Sequence, residues 1–70
     1  MHLIIVNGTQ MDPGKNLLTF AEILGFAKQP STATVTYHKA LGDRTGTMRP
    51  GDLVHTQEGT VFNVVVTSGA

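Results

Sequence analysis

The sequence predicts an α+β domain: a mixed sheet of four to five strands with one helix packed across one face. Three features point to it. A hairpin signal, Asn7-Gly8, follows an apolar run at the start; a helix with a complete capping box opens at Thr19; and a β-branched run extends from Val61 to Thr67. Phe62, Val64, Val65 and Val66 are nearly continuous apolar, which suits a buried strand in the centre of the sheet. A helical crossover lets such a strand lie beside the first one and parallel to it.

Each element follows from local chemistry. His2 to Val6 is rich in β-formers and ends at Asn7-Gly8, the pair preferred in a type I′ turn because both central residues take positive φ. A short second strand is expected around Thr9 to Met11, and Asp12-Pro13-Gly14 then breaks the chain. Thr19-Phe20-Ala21-Glu22 is a capping box, in which the Thr19 hydroxyl accepts from the Glu22 N–H and the Glu22 carboxylate reaches back. Phe20, Ile23, Leu24 and Ala27 form one apolar helical stripe. Gly25 weakens that helix by about 1 kcal/mol relative to alanine, and its bare backbone is expected to let the helix approach the sheet. Lys28 suits the negative helix end, and Pro30 stops the helix.

From Ala33 to Lys39 the chain alternates, with Val35 and Tyr37 on one face and Thr34, Thr36 and His38 on the other, so this is a half-buried strand. Leu41 to Met48 is polar and glycine-bearing and is expected as a loop. Pro50-Gly51-Asp52 is a turn, Leu53 to Thr56 a short strand, Glu58-Gly59 another turn and Val61 to Thr67 the last strand. Alternation places Leu3 and Ile5 inward with Phe62 and Val64. It leaves Ile4, Val6 and Val65 on the opposite face with Thr36 and His38, an apolar patch that the single helix does not cover.

The totals bound the function. Seventy residues make one domain with a small core and a stability of roughly 3–5 kcal/mol. Cysteine is absent, which removes disulfides, thiolate zinc sites and a cysteine nucleophile. Lys plus Arg is 5 and Asp plus Glu is 5, so five scattered cations assemble no basic face for nucleic acid. The run Leu3-Ile4-Ile5-Val6 is too short for a signal sequence and no segment approaches a membrane span, so a cytoplasmic protein is expected. His2, His38 and His55 fall on three separate segments without ligand spacing, and no metal site is expected from them. Neither Ser31 nor Ser68 sits in a nucleophile-elbow context, and so small a domain has no room for a deep pocket. The expectation is a protein handle and not an enzyme, with no cofactor of its own.

The order of elements is that of the β-grasp, and the chain resembles ubiquitin and its relatives along nearly its whole length. It looks closest to the bacterial ubiquitin-like proteins of the multiubiquitin type, within the ubiquitin-like β-grasp superfamily. The residues carrying the resemblance are Ile5-Val6-Asn7-Gly8, the Thr19-to-Ala27 helix, Val35-Thr36-Tyr37, Arg49-Pro50-Gly51-Asp52, Gly59-Thr60-Val61-Phe62-Asn63-Val64 and Thr67. The resemblance divides the chain into a ubiquitin-like domain over residues 1–67 and a short tail over 68–70. It implies a protein modifier activated at a C-terminal glycine by an E1-like enzyme that uses ATP, passed to an E2-like carrier, joined to a target protein and released by a peptidase. It also implies a recognition surface on the uncovered sheet face, here Ile4, Val6, Thr36, His38 and Val65. The chain departs from ubiquitin in ending Ser68-Gly69-Ala70 without Gly-Gly. A peptidase that trims Ala70 would expose Gly69. The alternatives are a β-grasp binding module that docks without conjugation and, against the missing Gly-Gly, a sulfur carrier.

Overall fold

The computed structural model describes residues 2–39, 42 and 44–66. Its main sheet has five strands in the order β2-β1-β7-β4-β5: β1 is Ile4–Val6, β2 Thr9–Met11, β4 Thr34–Lys39, β5 Arg44–Met48 and β7 Val61–Val65. β3 (Leu17–Thr19) and β6 (Leu53–His55) form a separate two-stranded ribbon, and α1 (Phe20–Ala27) packs across one face of the main sheet. β1 and β7 run parallel, and the other pairs are antiparallel. This is the expected mixed sheet with one helix, the β-grasp arrangement.

The turn chemistry explains how so short a chain closes. Asn7 and Gly8 both take positive φ, 51° and 83°, as the two-residue hairpin demands. The Asn7 side chain does more than turn the chain. Its Oδ1 accepts from the Val64 N–H at 2.8 Å, and its Nδ2 donates to the Val64 carbonyl at 3.0 Å. Below it, the Ile5 N–H donates to the Thr60 carbonyl at 2.9 Å and the Asn7 N–H to the Phe62 carbonyl at 3.0 Å. The carboxamide thus continues the parallel ladder one step beyond the end of β1. At the other end of β7, the Thr60 hydroxyl is fully buried, accepting from the Gln57 N–H and donating to the Gln57 carbonyl, both at 2.9 Å.

The helix begins as its sequence dictates. The Thr19 hydroxyl accepts from the Glu22 N–H at 3.1 Å and the Glu22 carboxylate accepts from the Thr19 N–H at 3.0 Å. Lys15 pairs with the same carboxylate, and this charged hydrogen bond, with that from Thr19, holds Glu22 below its ordinary pKa. The Arg49-to-Asp52 turn ties in here too: Gly51 takes a φ of 90°, the Asp52 N–H donates to the Arg49 carbonyl, and the Asp52 carbonyl accepts from the Phe20 N–H. The helix ends in a Schellman pattern, with Lys28 N–H to the Gly25 carbonyl and Gln29 N–H to the Leu24 carbonyl. Lys28 itself is the left-handed residue, φ 56° and ψ 44°, a position usually given to glycine.

The core gathers Phe20, Ile23 and Leu24 from the helix, Leu18 and Val54 from the ribbon, and Ile4, Val6, Val35, Met48, Phe62 and Val64 from the main sheet. This corrects the expected phase of the first strand. Ile4 and Val6 are buried, at 0% and 2% exposure, while Leu3 and Ile5 are half-buried. The reason is register: Val6 pairs with Phe62 and Ile5 with Val61, so Val6 and Ile4 must share the face of Phe62 and Val64.

Three further expectations are corrected. Part of the supposed loop from Leu41 to Met48 is a strand, β5, paired with β4 over its full five residues. Its Gly46 lies opposite Tyr37, whose ring occupies the space a side chain would fill: a Cβ there would come within 2.5 Å of the Tyr37 hydroxyl. That ring stands 6.4 Å from the Phe62 ring and 5.8 Å from the Lys39 ammonium. Leu17–Thr19 is a strand that was not expected, formed against β6. Gly25 does not approach the sheet; it is exposed, with no neighbouring atom near the place of a Cβ. The last strand ends at Val65, and Thr67 lies outside the described residues.

With Gly25 on the solvent side of the helix, only its conformational entropy counts. Gly25→Ala is expected to stabilise the protein by about 0.5–1 kcal/mol, measured by equilibrium denaturation. A loss of stability would mean that Gly25 is packed after all.

Candidate functional site

The face of the main sheet opposite the helix is open. Register lays it out residue by residue: Thr36 pairs with Asn63 and Thr47, His38 with Val61 and Thr45, Thr34 with Val65, and Ile5 with Val61 and Gln10. None of these residues is Asp, Glu, Lys or Arg, although the chain carries five acidic and five basic residues. The apolar part lies along β1 and β7, with Ile5 and Val61 half-buried and Val65 58% exposed. The threonine part lies along β4 and β5. Between Thr36, His38, Thr45, Thr47 and Asn63 the surface dips into a shallow depression of about 320 Å³. An uncharged sheet face with an apolar stripe loses little by desolvation and favours contact with another protein surface.

Of the surface residues expected from the sequence, Thr36, His38 and Val65 lie on this face, with Thr36 and His38 half-buried. Ile4 and Val6 do not; they are in the core, on the other side of the sheet. Ile5 and Val61 take their places beside Val65. Ile5 was missed because Leu3-Ile4-Ile5-Val6 is apolar at every position, so alternation alone left the phase of that strand undecided; Val61 shares the face of Val65 by the alternation of the last strand. Thr45 and Thr47 were missed with β5 itself; the signal was the Thr-x-Thr spacing around Gly46. The proposed conjugation and processing residues, Gly69 and Ala70, lie outside the described residues.

A second apolar surface was not foreseen. Leu17 and Leu53, 46% and 58% exposed, stand on the outer face of the β3–β6 ribbon with His55, while their neighbours Leu18 and Val54 point into the core.

The three histidines sit on different parts of the fold. His2 donates from Nε2 to the Thr56 hydroxyl at 2.7 Å, because that hydroxyl spends its own proton on the Asn16 carbonyl at 2.9 Å. His38 is on the open sheet face and His55 on the ribbon. Among the described residues no three His, Cys, Asp or Glu side chains are placed to hold a metal ion. A polar depression of about 180 Å³ lies among His2, Asp12, Lys15 and Asn16, where Lys15 is already engaged by Glu22 and His2 by Thr56. Among the described residues no helix is long and apolar enough to cross a membrane.

Val65→Asp is expected to leave the fold intact, within about 0.5 kcal/mol of wild type, while setting a charge on the uncharged face. Circular dichroism checks the first part and affinity capture of a partner the second. Equal capture by mutant and wild type would remove this face from the account.

A model of the family described as Multiubiquitin matches residues 3–68. No curated protein and no solved structure was found to match the chain.

Proposed function

The chain belongs to the multiubiquitin family, and on that premise we propose that it is a ubiquitin-like protein modifier. The carrying observation is the family match over residues 3–68 on a β-grasp sheet with an open, uncharged face. A ubiquitin-like fold is generally a non-enzymatic modifier or binding domain, and no catalytic role is proposed for any residue here. In this proposal a peptidase removes Ala70, an E1-like enzyme adenylates the Gly69 carboxylate with its own ATP, and an E2-like carrier delivers the modifier to a target protein in the cytoplasm. The chain itself takes no cofactor and no part with nucleic acid or membrane.

The physical support is steric. Adenylation needs a carboxylate on a thin segment, and Gly69 lacks the Cβ that Ala70 carries. Gly69 follows the end of β7 by four residues (69 − 65), a length that spans at most about 14 Å when extended. The open face supplies a docking surface for the enzymes that would handle the tail, with Thr36, His38 and Val65 from the sequence reading and Ile5 and Val61 from the structure.

A second reading is a binding module that docks through the same face without conjugation. The observation favouring it is that Ile5, Val61 and Val65 form an apolar stripe across β1 and β7. A sulfur carrier would need a glycine thiocarboxylate, and Ser68-Gly69-Ala70 lacks the Gly-Gly of that type.

Incubation with the cognate E1-like enzyme, E2-like enzyme and peptidase, followed by intact-mass measurement, separates these readings. The modifier reading expects loss of one alanine residue and then an adduct through Gly69. Gly69→Trp should fold as wild type does, since the position lies beyond the last strand, yet form no adduct. An adduct through Ala70 removes the trimming step alone. Absence of every adduct from wild type overturns the modifier reading in favour of the binding module.

A further inference from the structure

We propose that Asn7 is a site of fold-gated deamidation, held intact by the native structure and converted to aspartate or isoaspartate whenever the β1–β7 joint opens. Asn7 precedes Gly8, and glycine is the follower that least obstructs the reaction, having no side chain to shield its backbone nitrogen. The Gly8 nitrogen, its proton taken by base, attacks Cγ of Asn7. The N–Cγ bond forms, the Cγ–Nδ2 bond breaks and ammonia leaves. The resulting five-membered succinimide adds water at one of its two carbonyls. Addition at Cγ frees the side chain as aspartate, and addition at the main-chain carbonyl leaves the chain running through Cγ as isoaspartate. In sum, an amide and water become a carboxylate and ammonium, with no change of oxidation state.

The native geometry opposes each stage. Both ends of the carboxamide are engaged by Val64: Oδ1 accepts its N–H at 2.8 Å and Nδ2 donates to its carbonyl at 3.0 Å. Attack turns the planar Cγ tetrahedral and expels Nδ2, and both changes require the carboxamide to leave Val64. The backbone N–H of Asn7 is also bound, to the Phe62 carbonyl at 3.0 Å, so the residue cannot swing as a whole without breaking the ladder. The exposed turn alone would offer no such shelter.

The same contacts make the conversion costly for the fold. A carboxylate in place of the amide has no donor for the Val64 carbonyl, and sets oxygen against oxygen across that gap. The isoaspartate product also inserts an extra methylene into the main chain of a two-residue hairpin whose strands pair Val6 with Thr9. Conversion therefore leaves a permanent mark on molecules that have opened, at the turn that holds Val64 of β7.

The test is ageing of the full chain in alkaline buffer, native and in guanidinium chloride, followed by tryptic mapping. The peptide ending at Lys15 holds Asn7 and neither Asn16 nor Asn63. Conversion in the native protein is expected about a hundred-fold slower than in the denatured chain, as for a reaction confined to a rarely open state. Equal rates would overturn the gating. Asn7→Asp reproduces the direct product and should melt below wild type, with faster hydrogen exchange at the Val64 amide. An unchanged melting temperature and unchanged exchange would overturn the structural consequence. Should N7D not fold, the aged wild-type material gives the same exchange measurement on its converted fraction.

Discussion

The parallel pairing of β1 with β7 is the constraint on which the rest of this structure depends. β1 has three residues and lies between β2 and β7. Its pairing sets Val6 beside Phe62 and Ile5 beside Val61, and that register decides which apolar residues meet the helix and which meet solvent. A shift by one residue would exchange the two sets. Asn7 guards the register from the end of the strand, because its carboxamide can satisfy both polar groups of Val64 only when the ladder is in place. The turn residue and the central pair are therefore one unit.

Everything outside this pair is arranged around it. The helix covers the Phe62 side, fixed at its start by Thr19, Glu22 and the Asp52 carbonyl. The β3–β6 ribbon supplies Leu18 and Val54 to close the end of the core. β4 links β7 to the edge strand β5, with Tyr37 laid over Gly46. Among the described residues the face left open is uncharged: Lys39 and Arg44 share the helix side of the sheet with Val35 and Tyr37, Glu22 is on the helix, and the others lie in turns and loops. Such a face suits the recognition proposed for it.

The elements with local signals were legible in the sequence. Asn7-Gly8, the Thr19-Glu22 capping box, Pro50-Gly51-Asp52 and the alternation of Val35 and Tyr37 with Thr34, Thr36 and His38 all depend on neighbours within a few residues, and all appear in the structure. The elements that depend on distant partners were not legible. Arg44-Thr45-Gly46-Thr47 has no apolar alternation and becomes a strand because β4 offers it a ladder and Tyr37 fills the gap over its glycine. Leu17–Thr19 is extended because Leu53–His55 pairs with it across the chain. For the open face, Thr36, His38 and Val65 followed from alternation, whereas the choice between Ile4 and Ile5 belonged to the parallel register. An unbroken apolar run carries no phase, and the partner strand supplies it.

The measurement that bears most directly on this account is the paired substitution of adjacent residues in β1. Ile4→Asp buries an unpaired carboxylate at a position with 0% exposure, at a cost of several kcal/mol that a domain of roughly 3–5 kcal/mol cannot absorb. Ile5→Asp places the same group on the open face beside Gln10 and Val61. Equilibrium unfolding followed by circular dichroism should show I4D without a folded baseline and I5D folded, with a cooperative transition. A folded I4D beside an unfolded I5D would contradict the register, and with it the face proposed for recognition.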